Sequence, residues 1–464
     1  MNEIKKLYAI GIGGIGVSGL ARYYLSESWE VSGSDSTDSE LIHALMSEWC
    51  DVIIWSDEAR ITDDIDFVIY TEAIPETQEE LVKAKKLWIK TLKYNHALAE
   101  VVNTHKLIAV TGTHGKSTTT SMISGILKES NEDFKAIIGT ILKEFGGKNY
   151  FSSLPLSPTD SSPKLGEQSK SYFAIEACEH KEHFLAYKPT VGVITNLEYD
   201  HADYFKTPQD YIDAFEKFIA NILPGWFCVL NGDDTNCQSL IWKRVDIHYI
   251  LVKHDTYSTI MPWDTQESNI EYYPDIIMHV PGEHILFDAK VAYIVSQMIG
   301  IPEATALESL ENYSWVWRRM EKIWTTKSGN VLMSDYGHHP TEILTTLTAL
   351  KSWYPDKKLF VIFQPHQYSR TIELLDDFKT CFGDADTLII PDIYESRDTD
   401  ENKAAMSTSL LVENIEHDNV FDGNGMENTL KLIEDYDSEN PKSSIILILW
   451  AWNVDNLRYK IKTS

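Results

Sequence analysis

The 464-residue sequence predicts an α/β protein of three domains, residues 1–104, 105–317 and 318–464, each built on an open, mainly parallel sheet. Three observations carry this expectation. The N-terminus opens strand, glycine-rich turn, helix, strand. A second such passage begins at Leu107, where a short apolar strand enters a Gly-flanked loop and an apolar helix follows. The alternation of strands with helical lengths then restarts near Arg318.

In the first passage Lys6–Ile10 reads as a strand, Gly11–Gly16 as a turn, Val17–Leu25 as a helix, and Glu30 to Ser32 as a second strand reaching Asp35. Strand-like runs at Asp51–Ile54 and Asp66–Tyr70 extend this sheet towards residue 104. The middle sheet continues through Tyr172–Glu176 and Val191–Asn196, interrupted by the Ser/Pro-rich stretch Ser152–Ser171, expected to be a surface loop. Val331–Ser334, Leu359–Phe363, Thr387–Pro391 and Ser444–Leu449 supply the third sheet. Open α/β sheets place ligands at the C-terminal ends of their strands, and the chemically rich segments fall there.

Composition narrows the function classes. Forty-one basic against 70 acidic residues give a net charge of −29, and no local basic cluster stands out, so no nucleic-acid partner is expected. No apolar run approaches membrane-spanning length and no signal-peptide pattern opens the chain, so no membrane insertion and a cytoplasmic location are expected. The five cysteines are scattered without metal-ligand spacing and read as free thiols. An anionic substrate must then be held by local cations and N–H groups against the global field.

The segment Leu107-Ile-Ala-Val-Thr-Gly-Thr-His-Gly-Lys-Ser-Thr-Thr-Thr120 is a phosphate cradle. Gly112 and Gly115 let backbone N–H groups approach an anion, and the helix starting near Lys116 presents its positive end. Lys116 neutralises terminal phosphate charge, and the Ser117 hydroxyl can ligate Mg²⁺. Only Thr113 and His114 separate the glycines, a variant of the usual loop. Gly11-Ile12-Gly13-Gly14-Ile15-Gly16, with Asp35 about 20 residues on, fits a dinucleotide fingerprint in spacing and suits any diphosphate, including that of a nucleotide-linked substrate. Glu176 ends one strand beside Cys178 and Glu179, and Thr195–His201 ends the next. A carboxylate and an imidazole facing a P-loop could hold Mg²⁺, which favours Glu176 and His201 over Glu198, Asp200 and Glu179. Arg318–Glu321, Ser334–Glu342 and Phe363–Thr371 are dense in polar side chains. The adjacent His338 and His339 rarely converge on one ion, so a substrate-facing loop is the economical explanation.

In family order, Gly11–Gly16, Thr111–Thr119, Glu176-Ala-Cys-Glu179, Thr195–His201, Pro281-Gly-Glu-His284, Arg318–Glu321, Asp335–Glu342 and Phe363–Thr371 make the chain resemble the Mur ligases. The His-His-Pro-Thr-Glu and Gln-Pro-His-x-Tyr-Ser-Arg-Thr segments resemble the alanine-adding branch. The resemblance implies a Rossmann-like UDP-sugar domain, a central P-loop ATPase domain, and a Rossmann-like C-terminal domain that closes over ATP and brings in the amino acid. It implies transfer of the ATP γ-phosphoryl group to the carboxylate of UDP-N-acetylmuramate, and attack by L-alanine on the acyl phosphate. A ligase attaching a recycled peptide to the same sugar, or a nucleotide-binding homologue with impaired catalysis, are the alternatives; a monomer or homodimer is expected. The resemblance assigns ATP to Gly112, Thr113, His114, Gly115, Lys116, Ser117, Thr118, Asn196, His284, Arg319 and Asp335, and Mg²⁺ to Ser117, Glu176 and His201. Gly11, Ile12, Gly13, Gly14, Ile15, Gly16 and Asp35 would take the UDP moiety, and Tyr336, His338, His366 and Arg370 the amino acid. Lys116, Glu176, His201 and Arg370 would carry catalysis. Ile285, Asp288 and Gln367 depart from the family pattern.

Thirteen tryptophans are about twice the usual share, and several sit where turn chemistry calls for glycine. Trp29, Trp55, Trp226, Trp315, Trp450 and Trp452 stand at such turns, and the resemblance to the Mur ligases implies glycine at most of them and at Trp49, Trp88 and Trp324 as well; all nine are expected to be glycine in the native polypeptide, encoded by UGA codons that the source cell reads as glycine. Trp317 is expected to be a genuine packing residue.

Overall fold

The computed structural model describes residues 4–153, 169–201, 204–261, 268–314, 316–396, 398–449 and 453–461. Most of the expected Ser152–Ser171 loop, and Trp315, Trp450 and Trp452, lie outside them. Three sheets are present. The first holds β1 (Lys6–Ile10), β2 (Glu30–Asp35), β3 (Asp51–Ile54), β4 (Phe67–Tyr70) and β5 (Lys90–Lys93), all parallel, in the order β3-β2-β1-β4-β5. The order reverses at β1, whose C-terminal end carries the glycine turn.

The second sheet has nine strands: β6 (Lys106–Thr111), β7 (Phe134–Leu142), β8 (Lys148–Ser152), β9 (Tyr172–Glu176), β10 (Val191–Ile194), β11 (Phe227–Asn231), β12 (His248–Val252), β13 (Thr256–Ile260) and β14 (Ser268–Tyr272). They run in the order β14-β13-β12-β11-β10-β6-β9-β7-β8, parallel at the centre and antiparallel at both edges. β6 thus lies between β10 and β9, and its loop faces the ends of both. Leu107, Ala109, Val110, Val191 and Val193 are fully buried, as expected for central strands covered on both faces. The third sheet, β15 (Glu321–Thr325), β16 (Val331–Asp335), β17 (Lys358–Phe363), β18 (Thr387–Ile390), β19 (Val420–Asp422) and β20 (Ser444–Leu449), has the order β15-β16-β20-β17-β18-β19 and is parallel except at β15.

Met1–Ile277 with Phe287–Asn312 forms one compact unit, and Met278–Leu286 with Tyr313–Ser464 a second. Within the first unit the two sheets share one apolar core. The helix Ile15–Ser26 buries Leu20, Tyr23 and Tyr24, and the core continues through Ile137 and Phe173 of the second sheet. Burying each such large side chain contributes about 1.5–3 kcal/mol, so this helix is held from both sides. Among the described residues, no helix is long and apolar enough to cross a membrane.

The tryptophans divide into two kinds. Four have a left-handed backbone: Trp49, Trp55 and Trp88, with φ of 78°, 75° and 60°, are 91%, 68% and 92% exposed, while Trp242, with φ 68°, is 37% exposed and lies against the Tyr249 ring at 6.5 Å. Trp29 corrects the expectation. The left-handed residue after the helix Ile15–Ser26 is Ser28, with φ 64°, while the Trp29 N–H closes the turn onto the Tyr24 carbonyl at 3.0 Å. Its indole packs against the Tyr24 ring at 4.9 Å with the Lys5 ammonium above it. Trp29 therefore has a packing role of its own. The left-handed position beside Trp226 is Gly225, and Trp324 lies in a strand. Trp317 packs under the Arg318 guanidinium at 3.9 Å, as expected.

Candidate functional site

The loop after β6 is fixed by close contacts that only glycine permits. Gly112 has φ 130°, and a Cβ there would collide with the Thr195 hydroxyl; Gly115 has φ 79°, and a Cβ would lie 2.6 Å from the Asp288 carboxylate. The segment after β10 braces the loop from the other side. Asn196 Oδ1 accepts from the His114 N–H at 2.9 Å, the Thr113 hydroxyl donates to the Glu198 carbonyl at 2.6 Å, and His114 Nε2 lies 3.0 Å from Glu198 Oε2. Asp288, at a departing position, accepts from the Thr119 hydroxyl at 3.0 Å and so holds the helix Lys116–Glu129. Ser117 and Thr118 open that helix and are buried.

Lys116 folds back over this loop. Its Nζ donates to the Gly112 carbonyl at 2.6 Å, the Thr113 carbonyl at 3.0 Å and Glu179 Oε1 at 3.1 Å. Burial would lower the Lys116 pKa, but Glu179 above all reverses this and raises it. Glu179 is 1% exposed. Burial pushes its carboxyl up, and Lys116 and then His201 outweigh that and hold it below the usual carboxylate range. His201 Nε2 lies 3.3 Å from the same Oε1, and Glu179 Oε2 is buried without a hydrogen-bond partner among the described residues. His201 has φ 58°, a left-handed conformation costly for a non-glycine residue and frequent where a side chain is aimed for function. Glu176, by contrast, accepts from the Gly139 N–H of β7 at 2.6 Å. The strand ends thus place Glu179 between the cation and the imidazole, and Glu176 one step further along the sheet edge.

The first glycine loop is held by backbone and by Asp35. The Gly11 and Ile12 N–H groups donate to the Ser34 carbonyl at 2.8 and 3.1 Å, and the Gly13 N–H donates to Asp35 Oδ2 at 2.8 Å. Asp35 Oδ1 accepts from the Thr37 N–H at 3.0 Å, so this carboxylate shapes the loop. The helix Ile15–Ser26 begins at Gly14 with no side-chain cap, leaving its first N–H groups for a ligand. Asn149 of β8, fully buried, donates to the Ile15 carbonyl and to the Ser18 hydroxyl and accepts from Arg22, which is itself paired with Glu48 at 2.9 Å. That network ties the glycine-loop helix to the sheet bearing the P-loop.

In the second unit, Asp335 ends β16 and accepts from the Met320 N–H at 2.6 Å and the Gly337 N–H at 2.7 Å. Burial raises its pKa despite Arg319. The Arg319 guanidinium lies 5.2 Å from the Tyr336 ring centroid and 3.9 Å from Glu342. Burial raises the Tyr336 pKa, with Arg319, Arg318 and Arg370 acting against it, so these cations surround the phenol. His338 and His339 are ordered by Glu342, which accepts both their N–H groups at 2.9 and 3.2 Å. His366 stacks on Tyr394 at 5.7 Å, and Gln367, with φ 69°, donates its side-chain amide to the Ser396 carbonyl at 2.8 Å. Arg370 sits on the short helix Tyr368–Glu373. His284 belongs to this unit; burial first and Arg319 second lower its pKa to about 4, and its Nδ1 is buried without a hydrogen-bond partner among the described residues.

Family models match along the chain in the order of its sheets: "Mur ligase family, catalytic domain" over residues 6–106, "Mur ligase middle domain" over 110–295 and "Mur ligase, glutamate ligase domain" over 318–447. The chain belongs to the Mur ligase family. Among curated relatives of this ligase, a UDP-N-acetylmuramate–L-alanine ligase of Clostridium novyi is 36% identical over 90% of this chain and 88% of its own. One from Clostridium acetobutylicum is 33% identical over 98% and 96%. Among solved structures, the UDP-N-acetylmuramate–alanine ligase of Thermotoga maritima matches with TM-score 0.74 at 22% identity over 98% of both chains, and a murein peptide ligase of Psychrobacter arcticus with TM-score 0.68 at 19% over 98% of both. These structural likenesses support the three-sheet Mur ligase fold.

For this Mur ligase the first unit brings Lys116, Ser117, Asn196 and His201 to one sheet edge, and the second unit gathers Arg319, Asp335, Tyr336 and His338. Glu179 is the central carboxylate that sequence reasoning ranks behind Glu176. Its three-residue offset from Glu176 is the available signal, and only the turn after β9 shows which carboxylate faces the lysine. Asn149 and Arg22 escape sequence reasoning. Nothing in their local sequence marks a contact across more than 120 residues.

Proposed function

We propose that this protein is an ATP-dependent amide ligase that joins L-alanine to the carboxylate of UDP-N-acetylmuramate, as the names of its relatives suggest. The observation that carries the proposal is the Lys116–Glu179–His201 cluster at the P-loop, in the same compact unit as the glycine loop Gly11–Gly16. The division of labour follows the three regions 1–104, 105–317 and 318–464. Gly11–Gly16 takes the UDP diphosphate, Gly112–Thr118 with Asn196 takes the ATP phosphates, His284, Arg319 and Asp335 take the rest of the nucleotide, and Tyr336, His338, His366 and Arg370 take alanine.

The γ-phosphoryl group passes to a carboxylate oxygen and ADP leaves. The alanine amine then bonds to the carbonyl carbon, the carbon–oxygen bond to phosphate breaks, and the amine loses a proton. Bringing a carboxylate to a polyphosphate costs about 4 kcal/mol per unit-charge pair at 4 Å and an effective dielectric of 20. Lys116 offsets this by carrying its charge to the transferring group, and the P-loop N–H groups stabilise charge that develops there. Glu179 keeps Lys116 protonated and places it. The residues also fit Mg²⁺. Glu179 Oε2, with no hydrogen-bond partner among the described residues, is an available oxygen ligand on the carboxylate whose other oxygen lies 3.3 Å from His201, and Ser117 and Glu176 offer further oxygens. When bound, the ion supplies neutralisation of the polyphosphate. Arg370, a fixed cation, suits the alanine carboxylate.

The test is phosphate release from ATP with UDP-N-acetylmuramate, with and without L-alanine. Alanine-dependent release with one amide formed per phosphate is expected. Release that ignores alanine, or no amide product, rejects the proposal.

A further inference from the structure

Tyr94 follows β5 directly and opens the helix Tyr94–Val102 at the C-terminal edge of the first sheet. Its ring lies against Gly16 so closely that a Cβ there would sit 2.6 Å from Cζ and 2.8 Å from the phenol oxygen. The phenol makes no hydrogen bond among the described residues, and the ring is half-buried. Burial foremost, then the charge of Glu176, raises its pKa, so it is a neutral O–H donor at any ordinary pH. A lone donor thus stands at the start of the glycine-loop helix. Gly16 is required there because the ring occupies the space a side chain would take.

We propose that the Tyr94 phenol is a substrate-positioning group that donates a hydrogen bond to the diphosphate of the nucleotide-linked acid seated on the Gly11–Gly16 loop. This rests on the assignment of that loop to the UDP moiety. Tyr94→Phe keeps the ring and its packing on Gly16, so the fold is preserved and only the donor is lost. A hydrogen bond to a charged acceptor predicts about a tenfold or greater loss of affinity. KM for UDP-N-acetylmuramate and the calorimetric Kd for UDP should rise by that factor, with KM for ATP, kcat and Tm unchanged. Unchanged KM and Kd overturn the proposal. Measuring UDP binding separates it from the ligase assignment: wild-type protein that binds UDP but forms no amide rejects the ligase, while the Tyr94→Phe loss of UDP binding still decides the role of Tyr94. Wild-type protein that binds no UDP overturns the proposal as well.

A different observation carries a second inference. After the helix Glu40–Ser47, the Cys50 N–H closes onto the Leu45 carbonyl at 3.1 Å and Trp49 occupies the left-handed position; after Glu79–Lys86, the Ile89 N–H closes onto the Ala84 carbonyl at 3.1 Å and Trp88 occupies it. After the helix Glu283–Met298 the same closure, Ile301 N–H to the Ser296 carbonyl at 3.0 Å, uses Gly300 with φ 82°. Trp55 repeats the left-handed conformation directly after β3. Trp242 is also left-handed but lies against Tyr249 and is 37% exposed, whereas these three indoles, 68–92% exposed, bury little and strain the backbone. We infer that Trp49, Trp55 and Trp88 are glycine in the cell's polypeptide, from UGA codons decoded as glycine, and that Trp29 is a true tryptophan. Peptide mass spectrometry of the protein from its source cell should show glycine at the three sites and tryptophan at Trp29, and Trp49→Gly, Trp55→Gly and Trp88→Gly should each raise Tm in recombinant protein. Tryptophan masses at the three sites, or UGG codons there, overturn the inference.

Discussion

The two strand–loop–helix turns of the first unit look alike in sequence and are held in different ways. The Gly11–Gly16 loop is set by backbone hydrogen bonds to Ser34 and by Asp35, and it offers uncapped helix N–H groups. The Gly112–Lys116 loop is braced by side chains from the neighbouring strand end and is crossed by a partly buried cation paired with the buried Glu179. A loop that only binds a diphosphate needs shape and N–H groups. One at which phosphoryl transfer occurs needs a mobile charge held in register, and the second loop has it.

Substitutions should separate the two loops. Lys116→Met should lower kcat about a thousandfold or more while leaving UDP affinity within twofold, because it removes charge stabilisation of the transferring group only. It should also lower Tm, since the buried Glu179 loses its main countercharge and keeps only His201 beside it. Glu179→Gln should cost about a hundredfold in kcat, with steady-state kinetics again showing an unchanged KM for the UDP substrate. An equal loss of UDP affinity in either variant would break the contrast. Asp35→Ala should act in reverse, raising KM for UDP-N-acetylmuramate about tenfold through loss of the Gly13 hydrogen bond and sparing ATP. Gly115→Ala and Gly225→Ala both place a side chain at φ 79°, but only the first meets a carboxylate. Gly225→Ala should cost about 1–2 kcal/mol in denaturant unfolding, and Gly115→Ala more, with weakened ATP binding.

The smallest effect concerns pH. His284 is held neutral, its pKa lowered from 6.5 to about 4. The unfolded chain takes up a proton below 6.5 that the folded chain refuses until about 4. Its stability contribution is therefore complete above pH 6.5 and is lost as pH falls towards 4. His284→Gln should flatten that part of a Tm-against-pH curve.

Much of the fold is legible in the sequence because the signals are local. Apolar runs locate β1, β6, β9, β10, β16, β17 and β20 within a residue or two at most ends, since a buried parallel strand must be apolar along its length, and glycine loops mark the ends of β1 and β6. The edge strands β13, β14 and β19 are short and mixed in polarity, and sequence reasoning passes over them. In the site, Lys116 and Ser117 follow from the loop motif alone. The precedence of Glu179 over Glu176 at the lysine depends on the path of the turn after β9, and the Asn149–Arg22 tie depends on how two sheets pack. At Trp29 the turn register differs by a single position from the one expected: the closing hydrogen bond to Tyr24 puts the left-handed residue at Ser28, a register that composition alone does not reveal.

The central claim is that the P-loop site phosphorylates a carboxylate. UDP-N-acetylmuramate carrying oxygen-18 in both carboxylate oxygens, turned over with ATP and L-alanine, tests it directly by mass spectrometry of the products. Released phosphate should carry one labelled oxygen and the amide should retain the other. Unlabelled phosphate would contradict transfer to the carboxylate, and with it the roles of Lys116 and Glu179 in that transfer.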